Sequence, residues 1–324
     1  MFKYVVVISL FVFSLTIGCN RSETMSDTVV ESELKHTKMY QNVSSGKEIN
    51  PALEIEDEPD NVPAGMVYVP GGTTTFGSES GNAYEKPLVR MEMKPFFMDE
   101  KLVSVGEFRK FAEETGYVTF SEKMGDGIIF DFERGEWAIV PGVTWEYPLG
   151  PNQDKADEDH PVTLLTIEDA EAYLDWVGKR LPTEFEWEHA ARGITDRDNR
   201  YAWGDELIVD GKFMSNTWNG IFPSYNNSDD GYLMTAPVGI YGKNDLGITD
   251  MGGNVWEWTS SWFRPYAEIQ DDYVPNPDSK KTLKGGSFMC HDSYCHGFRV
   301  SARSSTPPDN NMFHIGFRGV ISAN

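Results

Sequence analysis

The chain has 324 residues, three cysteines and a formal net charge of -23, with a pI near 4.6. That balance argues against nucleic acid as a partner, since phosphates are neutralised by Lys and Arg, and against direct adhesion to an anionic membrane surface. The acidic residues suit either plain solubility or calcium sites, and three cysteines are too few for a disulfide-dense module.

At the start, Lys3 precedes an apolar run from Tyr4 to Ile17 that ends in Gly18-Cys19. This is the layout of a secretory signal peptide, and the run is short for a bilayer span. Cys19 after a small residue resembles a bacterial lipobox, with Thr16 where Leu is usual. Residues 1–19 are therefore expected to be a lipoprotein leader, lipidated at Cys19; the alternative is an ordinary cleaved signal. Residues 20–61 are rich in Ser, Thr, Glu and Asp, without apolar periodicity. Such a stretch buries too little apolar surface to offset its ordering entropy, so it reads as a flexible tether. Residues 62–324 are expected to form one folded domain, near the upper size for a single core.

Three helices carry start and stop signals. Ser104 with Glu107, Thr166 with Asp169 and Thr183 with Glu186 have capping-box spacing. Val105, Phe108 and Phe111 form the first apolar stripe. Ala170, Tyr173, Leu174 and Val177 form the second, and Trp187, Ala190 and Ala191 the third. Gly116, Gly178 and Gly193 follow as stops. Strands are predicted at Met66–Val69, Phe96–Met98, Trp256–Thr259, Thr282–Lys284 and Gly316–Val320. Between them, residues 194–250 are rich in Gly, Asn and Asp, which predicts long functional or ion-pinned loops. The fold class is α+β with much irregular chain.

With Cys19 assigned to lipid, Cys290 and Cys295 remain, with four residues between them. A disulfide closing so small a loop adds little stability. Two thiolates form a soft ligand set suited to Cu(I), whereas a closed zinc site wants four ligands. A Cys-His-Asp hydrolase through His291 and Asp292 fits in composition, but sequence neighbours rarely point into one site. Two ordinary thiols or a local disulfide complete the alternatives.

The stretch Gly285-Gly286-Ser287-Phe288-Met289-Cys290-His291-Asp292-Ser293-Tyr294-Cys295 resembles the active-site segment of the formylglycine-generating enzymes, or sulfatase-modifying factors. Phe298-Arg299, Ala302-Arg303-Ser304, Thr306-Pro307 and Gly316-Phe317-Arg318 extend the resemblance. Upstream, it includes Arg180-Leu181-Pro182-Thr183-Glu184, Tyr201-Ala202-Trp203-Gly204, Gly253-Asn254-Val255-Trp256-Glu257-Trp258 and the opening Gly65–Gly72. It implies a single C-type-lectin-like domain.

It also implies a reaction. Cu(I) sits between Cys290 and Cys295, and a cysteine of an unfolded sulfatase segment with a CxPxR motif joins as a third sulfur ligand. Molecular oxygen is the co-substrate, a hydrogen leaves the substrate β-carbon, and the thioaldehyde hydrolyses to formylglycine. Ser287, Trp256 and Tyr294 would line the pocket, although core packing also explains Trp256. For calcium, the resemblance implies one site from Asn216 and Asp230 with the carbonyls of Thr217 and Tyr232. A second would use Asp250 and Glu257 with the carbonyls of Gly253 and Val255. Turn formation is the competing explanation for these Asn and Asp residues. Leu102, His314 and Glu146-Tyr147 depart from the family pattern, the last two bearing on substrate choice. Two other classes share the fold: non-catalytic envelope lipoproteins, which usually lack the cysteine pair, and iron-dependent sulfoxide synthases, which need a three-histidine site on an extra helical domain.

Overall fold

The computed structural model describes Pro59 and residues 61–193, 199–269 and 272–323. The leader with Cys19, and nearly all of the tether, lie outside the described residues. Among the described residues no helix is long and apolar enough to cross a membrane.

The domain opens with β1 (Met66–Val69), the hairpin of β2 (Gly72–Phe76) and β3 (Val89–Met93), and β4 (Phe96–Asp99). Helix α1 (Val105–Thr115), the single-turn α2 (Phe120–Met124) and the hairpin β5 (Asp126–Asp131)–β6 (Glu136–Pro141) follow. Then come α3 (Ile167–Trp176) and α4 (Glu184–Arg192). Among the described residues of the loop-rich middle the strands are the two-residue β7 (Ile208–Val209), β8 (Lys212–Phe213), β9 (Gly220–Ile221) and β10 (Tyr225–Asn226). The chain closes with β11 (Trp256–Trp262), β12 (Lys281–Lys284), β13 (Ser304–Thr306), β14 (Ile315–Gly316) and β15 (Val320–Ser322).

All three predicted helix starts are in place. Ser104, Thr166 and Thr183 each accept from the backbone N–H three residues on, and Glu107, Asp169 and Glu186 bond back. Each such cap contributes about 1 kcal/mol. The short α2 has the same device in Thr119 and Glu122, but one turn is too short to show apolar periodicity.

Two sheets organise the chain. One has the order β1-β4-β15, so the two ends of the domain meet on β4, with Met66 opposite Asp99 and Val320 opposite Met98. The other runs β13-β12-β11-β14, with Trp258 opposite Leu283 and Trp256 parallel to Ile315. The single strand expected at Gly316–Val320 is two strands instead. Between them Arg318 turns inward to Glu257, with both side chains fully buried. Burying that pair takes the chain out of one sheet and into the other. Phe108, Phe111, Trp145, Tyr173, Trp258 and Phe317 fill the main core, and Cys290 and Trp256 belong to the same cluster. Leu102 is a core residue at 1% exposure.

A candidate active site on the cysteine turn

Cys290 and Cys295 are joined as a disulfide, with their Cα atoms 5.1 Å apart. The turn between them is closed by the N–H groups of Tyr294 and Cys295, both donating to the carbonyl of His291. The two sulfurs have different surroundings. Cys290 is 2% exposed, while Cys295 lies in the wall of an open cleft of about 680 Å³. Each receives a backbone donor: Ser287 N–H at 3.4 Å from Cys290 Sγ, and Gly297 N–H at 3.2 Å from Cys295 Sγ. Donors aimed at sulfur favour the thiolate once the pair is reduced.

Trp256 is nearly buried and its ring lies against Gly297. A Cβ on Gly297 would stand 2.5 Å from that ring and 2.9 Å from Cys295 Sγ. Glycine is what lets the indole stand this close to the sulfur. Tyr294 is half-exposed on the cleft and stacks on Phe222 at 4.0 Å between ring centroids. Ser287 is fully buried, and its hydroxyl accepts from Met289 N–H, so it supports the turn from behind and is not in the cleft wall.

The same turn disposes of the hydrolase alternative. His291 bonds Ser293 through Nδ1, whereas Asp292 faces Arg200 at 3.0 Å, so Cys, His and Asp form no relay. Among the described residues no group of three or more His, Cys, Asp or Glu side chains lies together.

Sequence reasoning missed the charge pairing around the cleft. Arg299, in its wall, forks onto Glu85 at 2.6 and 2.8 Å, and Ser301 donates to the same carboxylate. Burial by itself pushes the Glu85 carboxyl up, but Arg299 and Ser301 hold it below its ordinary value. Glu85 is 214 residues from Arg299 in sequence, and no local pattern announces such a pair. Glu146 is likewise committed, to Arg109 and Lys155.

The calcium candidates divide between hydrogen-bonded and unsatisfied oxygens. Asn216 is fully buried; its Nδ2 donates to Met234 O and to Asn254 Oδ1, while its Oδ1 has no partner. Asp250, 1% exposed, also has one carboxylate oxygen without a partner. Burial, opposed by Gly239 N–H and Arg318, pushes its pKa up to about 6. An orphaned buried acceptor in each implied set is what an oxygen-seeking cation would satisfy. Asp230 accepts from Thr217 N–H at 2.8 Å and Tyr232 N–H at 3.2 Å. Glu257 already holds Arg318 at 2.7 and 2.9 Å, which leaves about half of its lone-pair sites. The two loops touch at Gly253, where a Cβ would stand 2.3 Å from the carbonyl oxygen of Asn216. The donor sets fit calcium.

His314 is 7% exposed, rests on the Trp137 ring at 4.9 Å, and its carbonyl accepts from Trp256 N–H. Burial holds its pKa down at about 3. The folded state thus binds the proton more weakly than the unfolded chain, so the imidazole's contribution is complete above its ordinary value of 6.5 and is lost as pH falls toward 3. His314→Asn should therefore lose less melting temperature than the parent between pH 6.5 and 4, and thermal scans across that interval check it. Equal losses in both proteins would show that His314 is not the titrating group.

Comparison with known proteins agrees with this geometry. Residues 51–323 match the family described as "Sulfatase-modifying factor enzyme 1-like domain". The chain belongs to that family. A protein of Streptomyces coelicolor named "Formylglycine-generating enzyme" is 40% identical over 296 residues, covering 83% of this chain and 94% of the relative. A Bos taurus protein of the same name is 38% identical over 289 residues, covering 80% of this chain and 77% of its own. Among solved structures, PvdO from Pseudomonas aeruginosa superposes with a TM-score of 0.59 at 24% identity, over 80% of this chain and 94% of the other. That likeness is one of fold, and it agrees with the expected α+β domain of few helices, short strands and long loops.

Proposed function

We propose that this protein is a copper- and oxygen-dependent formylglycine-generating enzyme, which oxidises the cysteine of CxPxR segments in unfolded sulfatases. The observation that carries the reading is the placement of Cys295 in the cleft wall, with Cys290 buried behind it and Trp256 alongside. Family membership and the two similar formylglycine-generating enzymes support it. Reduction of the disulfide frees two soft donors, Cys290 and Cys295, which would hold Cu(I). When bound there, copper supplies a third position for the substrate sulfur and one-electron chemistry toward oxygen. The remaining work belongs to the chain. Ser287 and Gly297 stabilise the two thiolates through their N–H groups. The Trp256 ring keeps water from one side of the pair, and Tyr294 bounds the open side where an extended segment enters.

The test is a CxPxR peptide incubated in air with the reduced, copper-loaded protein. Conversion lowers the peptide mass and creates an aldehyde that a hydrazine probe captures. No conversion of several such peptides would overturn the reading.

Calcium is the second part of the proposal, held by Asn216, Asp230, Asp250 and Glu257 with the carbonyls of Thr217, Tyr232, Gly253 and Val255. A ligand that binds only the native state raises stability by about 3 kcal/mol at a hundredfold excess over its dissociation constant. Chelation should lower the melting temperature by several degrees and added calcium should restore it. Indifference to both would reduce these residues to turn formers.

We further propose export as a lipoprotein anchored at Cys19, on the strength of Lys3, the apolar run and the Gly18-Cys19 junction. Cys19→Ala should move the protein from the membrane to the soluble envelope fraction on cell fractionation. Unchanged membrane retention of the variant would reject the anchor.

A further inference from the structure

Three carbonyls in the proposed calcium sets belong to peptide units whose opposite ends are already engaged. The Thr217 carbonyl and the Trp218 N–H are the two ends of one unit, and that N–H donates to the Cys290 carbonyl at 2.9 Å. The Val255 carbonyl shares a unit with the Trp256 N–H, which donates to the His314 carbonyl at 2.9 Å. The Gly253 carbonyl shares one with the Asn254 N–H, which donates to the Asn216 carbonyl at 2.8 Å. A peptide unit is planar and stiff, so fixing its oxygen fixes the direction of its N–H. A cation on the oxygen also polarises the amide and strengthens it as a donor.

We propose that the two cation sites are positioning elements for the reactive cysteine turn, acting through these shared peptide units. The first site orients the donor that holds Cys290. The second orients the main chain of Trp256, whose ring lies beside Cys295. The Asn254 to Asn216 bond joins the two sites, so their occupancies reinforce each other. The first loop also reaches the other end of the turn, since Phe222, between Asn216 and Asp230, stacks on Tyr294. One cation-pinned loop therefore grips the turn next to both sulfurs. This inference rests on the calcium reading above and adds to it a coupling between cation and thiol chemistry.

The experiment is amide hydrogen exchange on the full-length protein with and without calcium chloride, well below the melting temperature. A glutathione titration of the disulfide runs in parallel: two glutathione thiols are oxidised to glutathione disulfide as Cys290–Cys295 is reduced to two thiols. Calcium should slow exchange at the Trp218 and Trp256 amides by at least about fivefold. The Arg180 amide, bonded to Val320 O in the sheet of the chain ends, should change less. The glutathione ratio at half-reduction should move by about fivefold or more. Asn216→Ala should remove the calcium effect at Trp218. A calcium-raised melting temperature with both readouts unmoved would overturn the coupling and leave the cation sites standing. Calcium without effect on melting or exchange would overturn the sites and the coupling together.

Discussion

Cys290→Ser and Cys295→Ser should each abolish oxidation of a CxPxR peptide while the circular dichroism spectrum stays that of the parent. Serine keeps the shape of the turn but replaces a soft sulfur with a hard oxygen. Loss of even an outer-shell partner costs about 10–100-fold in metal affinity, so removal of a direct ligand should weaken Cu(I) binding by more than about a hundredfold. A competition titration against a Cu(I) chelator measures this. The structure adds an asymmetry: Cys295 faces the cleft and Cys290 is buried. After reduction, a thiol-alkylating reagent should therefore modify Cys295 well before Cys290. Retained activity in either serine variant would remove the pair from the chemistry, and equal alkylation rates would contradict its placement.

The largest expected loss of stability comes from a buried charge cluster around Lys284. Lys284 Nζ, fully buried, donates to Glu188 Oε2 at 2.9 Å and to the carbonyl of Val300 at 3.0 Å. Arg192 donates to the other carboxylate oxygen of Glu188. Burial alone would raise the Glu188 carboxyl; Lys284 and Arg192 reverse this and hold it at about 2. Lys284→Met leaves Glu188 undercompensated and a carbonyl unpaired, which should cost about 3–5 kcal/mol. Lys110→Met breaks only an exposed contact to Glu114 and should cost under about 1 kcal/mol. Urea unfolding of the two variants measures the contrast, and similar losses would mean that Lys284 is not part of a buried network. Because the Glu188 pKa is depressed, its stabilisation is complete above the ordinary carboxylate value and is lost as pH falls toward 2.

What could be read before the fold was known was local. A capping box is a three-residue relation, so Ser104, Thr166 and Thr183 declared their helices unaided. The cysteine turn is six residues long, and its ends needed only chain geometry to meet. The hairpin β5–β6 went unread because its strands carry no clean alternation of apolar and polar residues: Trp137 and Ile139 are exposed on it. Helix α4 buries Glu184, Glu188, His189 and Arg192, residues that composition assigns to water. Glu188 and Arg192 pair within the helix, but Glu184 meets Arg303, Glu188 meets Lys284 and His189 meets Thr74, distant partners that only the fold brings together.

The sequence by itself determined the helix starts, the family signature and the identity of the two thiols, because each is written in contiguous residues. The tertiary structure alone decided which sulfur meets the cleft, and why Gly297 must be glycine. It also decided that Asp292 serves Arg200 and not His291, and that Arg318 divides the last strand. Each of these depends on a neighbour distant in sequence, whose approach is set by burial and by the pairing of charges across the fold.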